Sequence, residues 1–307
     1  MKLLIIGNPI AGMGYSRRRV EELAGLLSRN GHSLEIFFTE KPGDASMRAA
    51  GTDNRFDRIV VVGGDGTLNE VLNGLVDPSA TPIIHAASGT ANMLARELGI
   101  PTRIPDVASL VESGMIKLID MGIASGIRFI LVAGVGFDSF VTMHVKAMRA
   151  RTLGYRGYVK PVLKAGHAYH PINLNIWVDE QGPIPGQMVM VLKTRYYGGI
   201  FIFADDARPD SGFFHIRIFP RGTRSAILKY GIMGLARKVS ILKDVISIKG
   251  KKLKIEAEAP APLQVDGDYA GWTPVEIEIL PSVVPIVVPV GKGGGSSFRG
   301  QDAMKLK

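Results

Sequence analysis

The segment from Ile59 to Val71 constrains this chain more than any other. Four apolar residues, Ile59, Val60, Val61 and Val62, run into Gly63, Gly64, Asp65, Gly66 and Thr67, and a helical pattern opens at once with Leu68, Asn69, Glu70 and Val71. A strand without a polar face is buried on both sides, which places it inside a parallel α/β sheet. Glycines let a backbone take positive φ and approach an anion closely. Amides at a helix N-terminus face that anion with the helix dipole behind them. Asp65 cannot hold a phosphate directly, because like charges repel. It acts through a bound cation such as Mg²⁺, orients other groups, or caps the helix.

The surrounding pattern agrees with such a sheet. Residues 3–6, 34–38 and 82–85 read as further strands, and residues 17–28, 45–50, 69–75 and 91–98 as helices between them, with Val20, Leu23, Ala24 and Leu27 at helical spacing. Strand–helix alternation of this kind builds a parallel sheet. Beyond Ile119 the texture changes. Residues 129–132, 172–178, 187–192, 213–219, 253–258 and 275–280 read as short strands, and 254–259 and 275–279 alternate with a clean period of two, as half-solvated antiparallel strands do. Two basic helical stretches, near 141–166 and 224–238, interrupt them. The organisation expected is an α/β domain over 1–125, a β-rich domain over 126–290, and a flexible tail over 291–307 that opens Gly291-Lys-Gly-Gly-Gly. No internal repeat is visible.

Charge follows the same division. Residues 1–130 hold 13 Lys/Arg and 14 Asp/Glu, whereas residues 131–307 hold 24 and 14. Lys146, Arg149, Arg151, Arg156, Lys160 and Lys164 lie in a stretch without an acid, and between Arg221 and Lys254 ten basic residues meet only Asp244. This asymmetry calls for an anionic partner (nucleic acid, a membrane surface or a phosphate-bearing substrate) or for a solvated basic face. There is no cysteine, which removes disulfides, thiol nucleophiles and cysteine-ligated metals. The N-terminal apolar run is too short for a secretory signal, and no stretch reaches the ~20 residues of a membrane helix. A soluble, cytoplasmic protein is expected.

Two further loops share the build of the first. Gly7-Asn8-Pro9-Ile10-Ala11-Gly12 follows the first strand, and Ala87-Ser88-Gly89-Thr90-Ala91-Asn92 follows the strand over 82–85. The first has a G-x4-G opening, but Met13-Gly14 stands where a phosphate-binding loop needs Lys-Ser/Thr, and it is not G-x-G-x-x-G either. Three such loops at the carboxyl ends of strands in one sheet would converge on one crevice. His85, on an apolar strand, reads as a buried hydrogen-bonded residue, and His167 and His170 as surface residues. Tyr196 and Tyr197 suit either a base or lipid slot or the core.

Gly63-Gly-Asp-Gly-Thr-Leu-Asn-Glu-Val71, Asn8-Pro-x-Ala-Gly12 and Gly89-Thr-Ala-Asn92 resemble the diacylglycerol kinase catalytic-domain family of lipid kinases. Gly134-Val-Gly-Phe-Asp138 and Gln264-Val-Asp-Gly-Asp-Tyr269 are similar to later motifs of that family, and the resemblance runs in order from residue 3 to about 290. It implies a Rossmann-like N-terminal domain, a mainly antiparallel β-sandwich C-terminal domain of the NAD kinase/diacylglycerol kinase kind, and an active site in the cleft between them. Carried over, it assigns ATP to Asn8, Pro9, Ile10, Ala11 and Gly12, to Thr39, to Gly63, Gly64, Asp65, Gly66, Thr67, Leu68 and Asn69, and to Thr90. Asp65 joins a catalytic Mg²⁺ network, with Asp120 as a second member. Asp268 takes the place of the general base, with Asp266 able to share that role. Asp210 and Phe213 match a stretch that carries a structural Mg²⁺ in some bacterial members.

Four positions depart from the family pattern. Met93 stands where an acid is frequent, Met13 where a lysine is common (leaving Arg17, Arg18 and Arg19 as substitutes), Asp268 where a longer glutamate is usual, and Ser211 where a second acid completes the structural metal site. The function implied is ATP- and Mg²⁺-dependent transfer of the γ-phosphoryl group to a lipid hydroxyl. Its partner is a lipid at an anionic membrane surface rather than nucleic acid, with the protein peripheral at the inner membrane surface and homodimer formation left open. NAD kinase-like transfer and a non-catalytic nucleotide- or lipid-binding module are the rival readings. The first expects an Asn-Glu pair where this chain has Asn92-Met93.

Overall fold

The computed structural model describes residues 1–14, 16–52, 55–147 and 164–290. Arg149, Arg151, Arg156, Lys160 and the tail from Gly291 lie outside the described residues.

The first region is built as the alternation demands: β1 (Lys2–Gly7), α1 (Ser16–Arg29), β2 (Ser33–Phe38), α2 (Asp44–Ala49), β3 (Arg58–Gly63), α3 (Asp65–Gly74), β4 (Ile83–Ala87), α4 (Met93–Leu98) and α5 (Ile104–Ser113). Strands β2, β1, β3 and β4 lie side by side, all parallel. Leu3–Ile6 and Ile59–Val62 are wholly buried because helices cover both faces of the sheet. Val20, Leu23, Ala24 and Leu27 form the inner stripe of α1. Helix α5 was not legible as a periodic segment, although Pro105 in its first turn is a start signal.

The second region adds β5 (Met115–Ala124), β6 (Ile127–Phe129), β7 (Val132–Val135), α6 (Phe137–Ala147), β8 (Leu174–Val178), β9 (Gln181–Gly186), β10 (Met188–Leu192), β11 (Tyr196–Tyr197), β12 (Phe201–Ile202), β13 (Phe214–Phe219), α7 (Arg224–Leu235), β14 (Ile246–Gly250), β15 (Lys252–Ala257), β16 (Pro262–Val265), β17 (Asp268–Trp272) and β18 (Val275–Val288). An antiparallel sheet in the order β14-β13-β10-β7-β16-β17 packs on the other large sheet. Phe129, Ile176, Ile216, Ile255, Leu263 and Ile277 are buried together between them. The period-two segments pair with each other as antiparallel strands, Lys254 opposite Glu276 with outward side chains exposed.

Two strands differ from the sequence reading, each for a local reason. Residues 129–132 do not form one strand, because the N–H groups of Ile130, Leu131 and Val132 turn onto the Asp266 carboxylate instead of a ladder. The strand expected over 275–280 runs on to Val288, bending where Ser282 takes φ 55° and donates its N–H to Asp120 Oδ1 at 2.9 Å. Past that bend it pairs parallel to β4 at Ile286–Ile83, so one sheet is continuous through both regions.

Candidate active site

The three glycine loops meet. A side chain added at Gly89 would bring its Cβ within 2.6 Å of the Gly64 Cα, so these two loops pass backbone on backbone. Gly12, with φ 59°, packs as closely on the Ser88 carbonyl, and only glycine supplies both that dihedral and that approach. Asn8 cross-links the first two loops. Its Nδ2 donates to the Thr67 hydroxyl at 3.2 Å, while its Oδ1 accepts from the Ile10 N–H at 3.2 Å. Thr39 is buried beside the first loop, its N–H donated to the Gly7 carbonyl at 2.9 Å. Gly66, Ile10 and Thr90 are exposed around this meeting point, and Pro9 and Ala11 are half-buried. Leu68 is fully buried in the core, so only its backbone can serve a ligand. At the start of α3 the Thr67 and Leu68 N–H groups donate to the Gly64 carbonyl (3.1 and 3.2 Å), which leaves those of Asp65 and Gly66 at the helix end where Gly64 meets Gly89. That is an anion site made of backbone.

Asp65 has a structural task in this cradle. Its Oδ2 accepts the Met93 N–H at 2.8 Å and its Oδ1 the Leu94 N–H at 3.3 Å, so it caps α4 rather than its own helix. A carboxylate at that helix start is favoured by the dipole, and it ties the second loop to the third. His85 lies beneath, fully buried, with Nε2 donating to the Gly63 carbonyl at 3.2 Å. Burial pushes its pKa down and keeps it neutral. Of the basic residues considered as substitutes for the missing lysine, Arg19 donates to the carbonyls of Ala87 (3.4 Å) and Thr102 (2.7 Å), and Arg17 lies over the Phe38 ring. Arg19 is therefore engaged in holding α1 to the third loop.

The opposite wall comes from the second sheet. Asp266 and Gly267, with φ 47° and 85°, form a two-residue hairpin turn between β16 and β17. An Asp-Gly pair with both residues at positive φ is the signature of the type I′ turn, a signal present in the sequence. Asp266 accepts four hydrogen bonds: from Asn69 Nδ2 (3.0 Å) and from the N–H groups of Ile130 (3.0 Å), Leu131 (3.0 Å) and Val132 (2.8 Å). Burial pushes its pKa up to about 6, against those four donors. Asp266 thus orients the turn and clamps it to α3. Asp268 opens β17 on the far side of Gly267 and is half-buried.

Gln264 is buried beneath the turn. It accepts the Gly267 N–H at 2.9 Å and donates to Asp138 Oδ2 at 3.1 Å. Asp138 also receives the Tyr197 hydroxyl, and burial raises the pKa of both groups. Tyr196 and Tyr197 are both half-buried against the core, and Tyr196 also stacks under the guanidinium of Arg96 at 4.2 Å. Sequence reading singled out the Gly134–Asp138 motif but not this Asp138–Gln264–Tyr197 relay.

The remaining acids go elsewhere. Asp120 is fully buried and shares no hydrogen-bond partner with Asp65. Its Oδ2 accepts the Lys193 ammonium at 2.6 Å and the Gly212 N–H at 2.7 Å. Lys193, also fully buried, donates further to the Ser211 hydroxyl at 3.1 Å and the Phe213 carbonyl at 2.9 Å. Asp210 turns outward to Lys117 at 2.7 Å. The oxygens expected to ligate a structural Mg²⁺ through Asp210 and Phe213 therefore do not fit one, because a lysine ammonium lies among them and the acid faces away. Burial pushes the Lys193 pKa down and Asp120 opposes the shift. Lys193 was not singled out in the sequence, where a lone lysine after an apolar strand carries no signal. Among the described residues no three His, Asp or Glu side chains gather as a metal site.

A parallel sheet with glycine loops at its strand ends, facing an antiparallel sheet that carries an Asp-Gly-Asp turn, has the build of a two-region kinase. The comparisons specify which kind. Residues 2–124 match the diacylglycerol kinase catalytic domain and residues 131–288 match the YegS C-terminal NAD kinase beta sandwich-like domain. The chain belongs to the diacylglycerol kinase catalytic-domain family and is a phosphotransferase with an alcohol acceptor. A diacylglycerol kinase of Bacillus subtilis (strain 168) is 29% identical, the alignment covering 94% of this chain and 96% of the relative. One from Staphylococcus carnosus (strain TM300) is 28% identical over 93% and 94%. A solved diacylglycerol kinase structure from Bacillus anthracis str. Sterne superposes with TM-score 0.73 at 26% identity, covering 94% of this chain and 97% of that one.

Proposed function

We propose that this chain transfers the γ-phosphoryl group of ATP to the hydroxyl of a diacylglycerol-like lipid. One observation carries the reading: the helix that opens at the backbone cradle where Gly64 meets Gly89 is tied to the Asp266–Asp268 turn through the Asn69 side chain. Phosphoryl transfer needs positioning and electrostatics more than covalent help, which suits a site of amides and carboxylates. Asn8–Gly12, Thr39, Gly63–Asn69 and Thr90 receive the nucleotide, the α3 amides facing its phosphates. Asp268 accepts the proton of the lipid hydroxyl, and Asp266 keeps the turn that carries it in register with α3. Bound Mg²⁺ supplies charge neutralisation between the phosphates. Asp65 fits that ion, since each of its oxygens retains a lone pair beyond its bond to the α4 amides. The lipid is met at an anionic membrane surface, with the protein peripheral to it. Among the described residues no helix is long and apolar enough to cross a membrane.

NAD kinase-like transfer is less well supported. Asn92 spends its side chain on Gly89, with its Oδ1 accepting the N–H at 2.8 Å and its Nδ2 donating to the carbonyl at 2.9 Å, while Met93 is buried. Labelled ATP offered with diacylglycerol in mixed vesicles, with NAD, and with no acceptor separates the readings. Label in the lipid phase is expected. Label in NADP, or nucleotide binding without any transfer, would replace the proposal by one of its rivals.

A further inference from the structure

Beyond its first turn, helix α7 carries a single charged residue, Lys229. Ala226, Tyr230 and Gly234 are its buried stripe. On the opposite side, where a surface helix carries polar residues, stand Leu228 (65% exposed), Ile232 (55%) and Leu235 (51%), one turn apart along a single ridge. Ile241, just past the helix, is 67% exposed. Single exposed aliphatic residues need no explanation, but four along one helix and its continuation mark an interaction surface.

Its charges say what covers it. From Arg221 to Lys243 there are six basic residues and no acid. Lys229 is neutralised by Asp244 at 2.8 Å, and Arg224 donates to the His167 carbonyl at 2.6 Å. Among the described residues Arg237, Lys238 and Lys243 have no acidic partner. A second copy docked across a two-fold axis would set this basic face against itself. An apolar ridge flanked by lysine and arginine fits an anionic bilayer, with the aliphatic side chains in the interface and the cations among the headgroups.

The ridge is also wired to the site. Gly234 packs on Phe201 and Phe203. From Tyr230 the ring contacts run through Phe219 (4.8 Å) and Phe203 (6.0 Å) to Tyr197 (5.6 Å), whose hydroxyl meets Asp138 under the Asp266–Asp268 turn.

We infer that the Leu228–Ile232–Leu235 face of α7, with Ile241 and the cations at Arg237, Lys238 and Lys243, docks the protein on an anionic lipid bilayer. The inference rests on the lipid kinase reading for its biological sense, but its test uses no ATP. Co-sedimentation with vesicles of phosphatidylcholine, with and without 30 mol% phosphatidylglycerol, reads it directly. The full chain should partition onto the anionic vesicles at least 10-fold more strongly, and the preference should fall away at high salt as exposed charges are screened. Leu228→Asp/Ile232→Asp should lower that partitioning 10-fold or more while leaving phosphorylation of a short-chain diacylglycerol in detergent micelles within twofold. Arg237→Glu/Lys238→Glu should remove the preference for phosphatidylglycerol. Unchanged partitioning in both variants overturns the inference, as does a dimer in size-exclusion chromatography that Leu228→Asp/Ile232→Asp dissociates. Vesicle binding that depends on α7 without transfer to any lipid would leave the docking face standing and sink the kinase reading alone.

Discussion

The loops over the parallel sheet and the buried polar groups of the antiparallel region use opposite electrostatic devices. In the first, donors are left for a guest: the Asp65 and Gly66 amides that open α3 lie at a backbone-on-backbone contact of Gly64 and Gly89, and the Asp65 side chain steadies the third loop from beside it. In the second, charges saturate one another. Lys193 fills the space between Asp120, Ser211 and the Phe213 carbonyl, and Asp266 takes four donors. A saturated buried charge fixes geometry and offers no binding capacity. The comparison teaches that an acid's position in a motif does not tell whether it acts on a ligand or on the fold.

Asp268 is where that distinction carries the largest effect. Asp268→Ala should lower kcat by roughly 100- to 10,000-fold with the KM for ATP nearly unchanged, because a base facing the acceptor leaves nucleotide binding alone. Steady-state kinetics on lipid vesicles reads both constants. A mild effect here, with Asp266→Ala abolishing turnover, would hand the base role to the clamped acid.

Next is Asp65. Replacing it with Asn leaves one acceptor for the two α4 amides and removes the negative charge, so turnover should fall on the order of 100-fold or more while the free energy of urea unfolding falls by only about 1–2 kcal/mol. Equal loss of both would mean that Asp65 serves α4 and nothing else.

Lys193→Met tests the saturated side. Removing one partner of a buried pair leaves the Asp120 charge uncompensated, at a cost of about 3–5 kcal/mol in urea unfolding. Because the ammonium occupies the place a structural divalent cation would take, a chelator should leave the wild-type midpoint where it is. A clear drop with chelator would show that this cluster does hold a metal.

The smallest effect concerns pH. The folded pKa of Asp266, about 6, lies above the ordinary carboxylate value of about 3.9, so the folded state favours its protonated form. Its contribution to stability is present in full below about pH 4, is lost as pH rises to about 6, and is constant above that. Urea titrations of wild type and Asp266→Asn between pH 4 and 8 should show wild type losing stability relative to the variant across that interval and no further. A gap that stays flat from pH 4 to 6 would mean the four donors cancel the burial cost.

Much of this was legible in the chain alone. The fully apolar run at Ile59–Val62, the inner stripe of α1 and the period-two strands β15 and β18 follow from local periodicity, because a helix or strand exposes its faces at a fixed repeat. The glycine loops were legible because positive φ and close backbone approach leave few residue choices. The Asp266-Gly267 turn carried its own signal as well.

What the tertiary structure alone decided is where each buried polar group found its partner. Asn69 and Asp266 are 197 residues apart, and Asp120 and Lys193 are 73 apart. No local pattern links such pairs, since which carboxylate meets which donor depends on how two sheets stack and where β18 bends. Composition and spacing limit the side chains available, but a buried charge has to be satisfied by whatever packing brings within hydrogen-bond reach. The cradle of amides was therefore written in the order of residues, whereas the difference between Asp65, Asp120, Asp266 and Asp268 appeared only once the chain had folded.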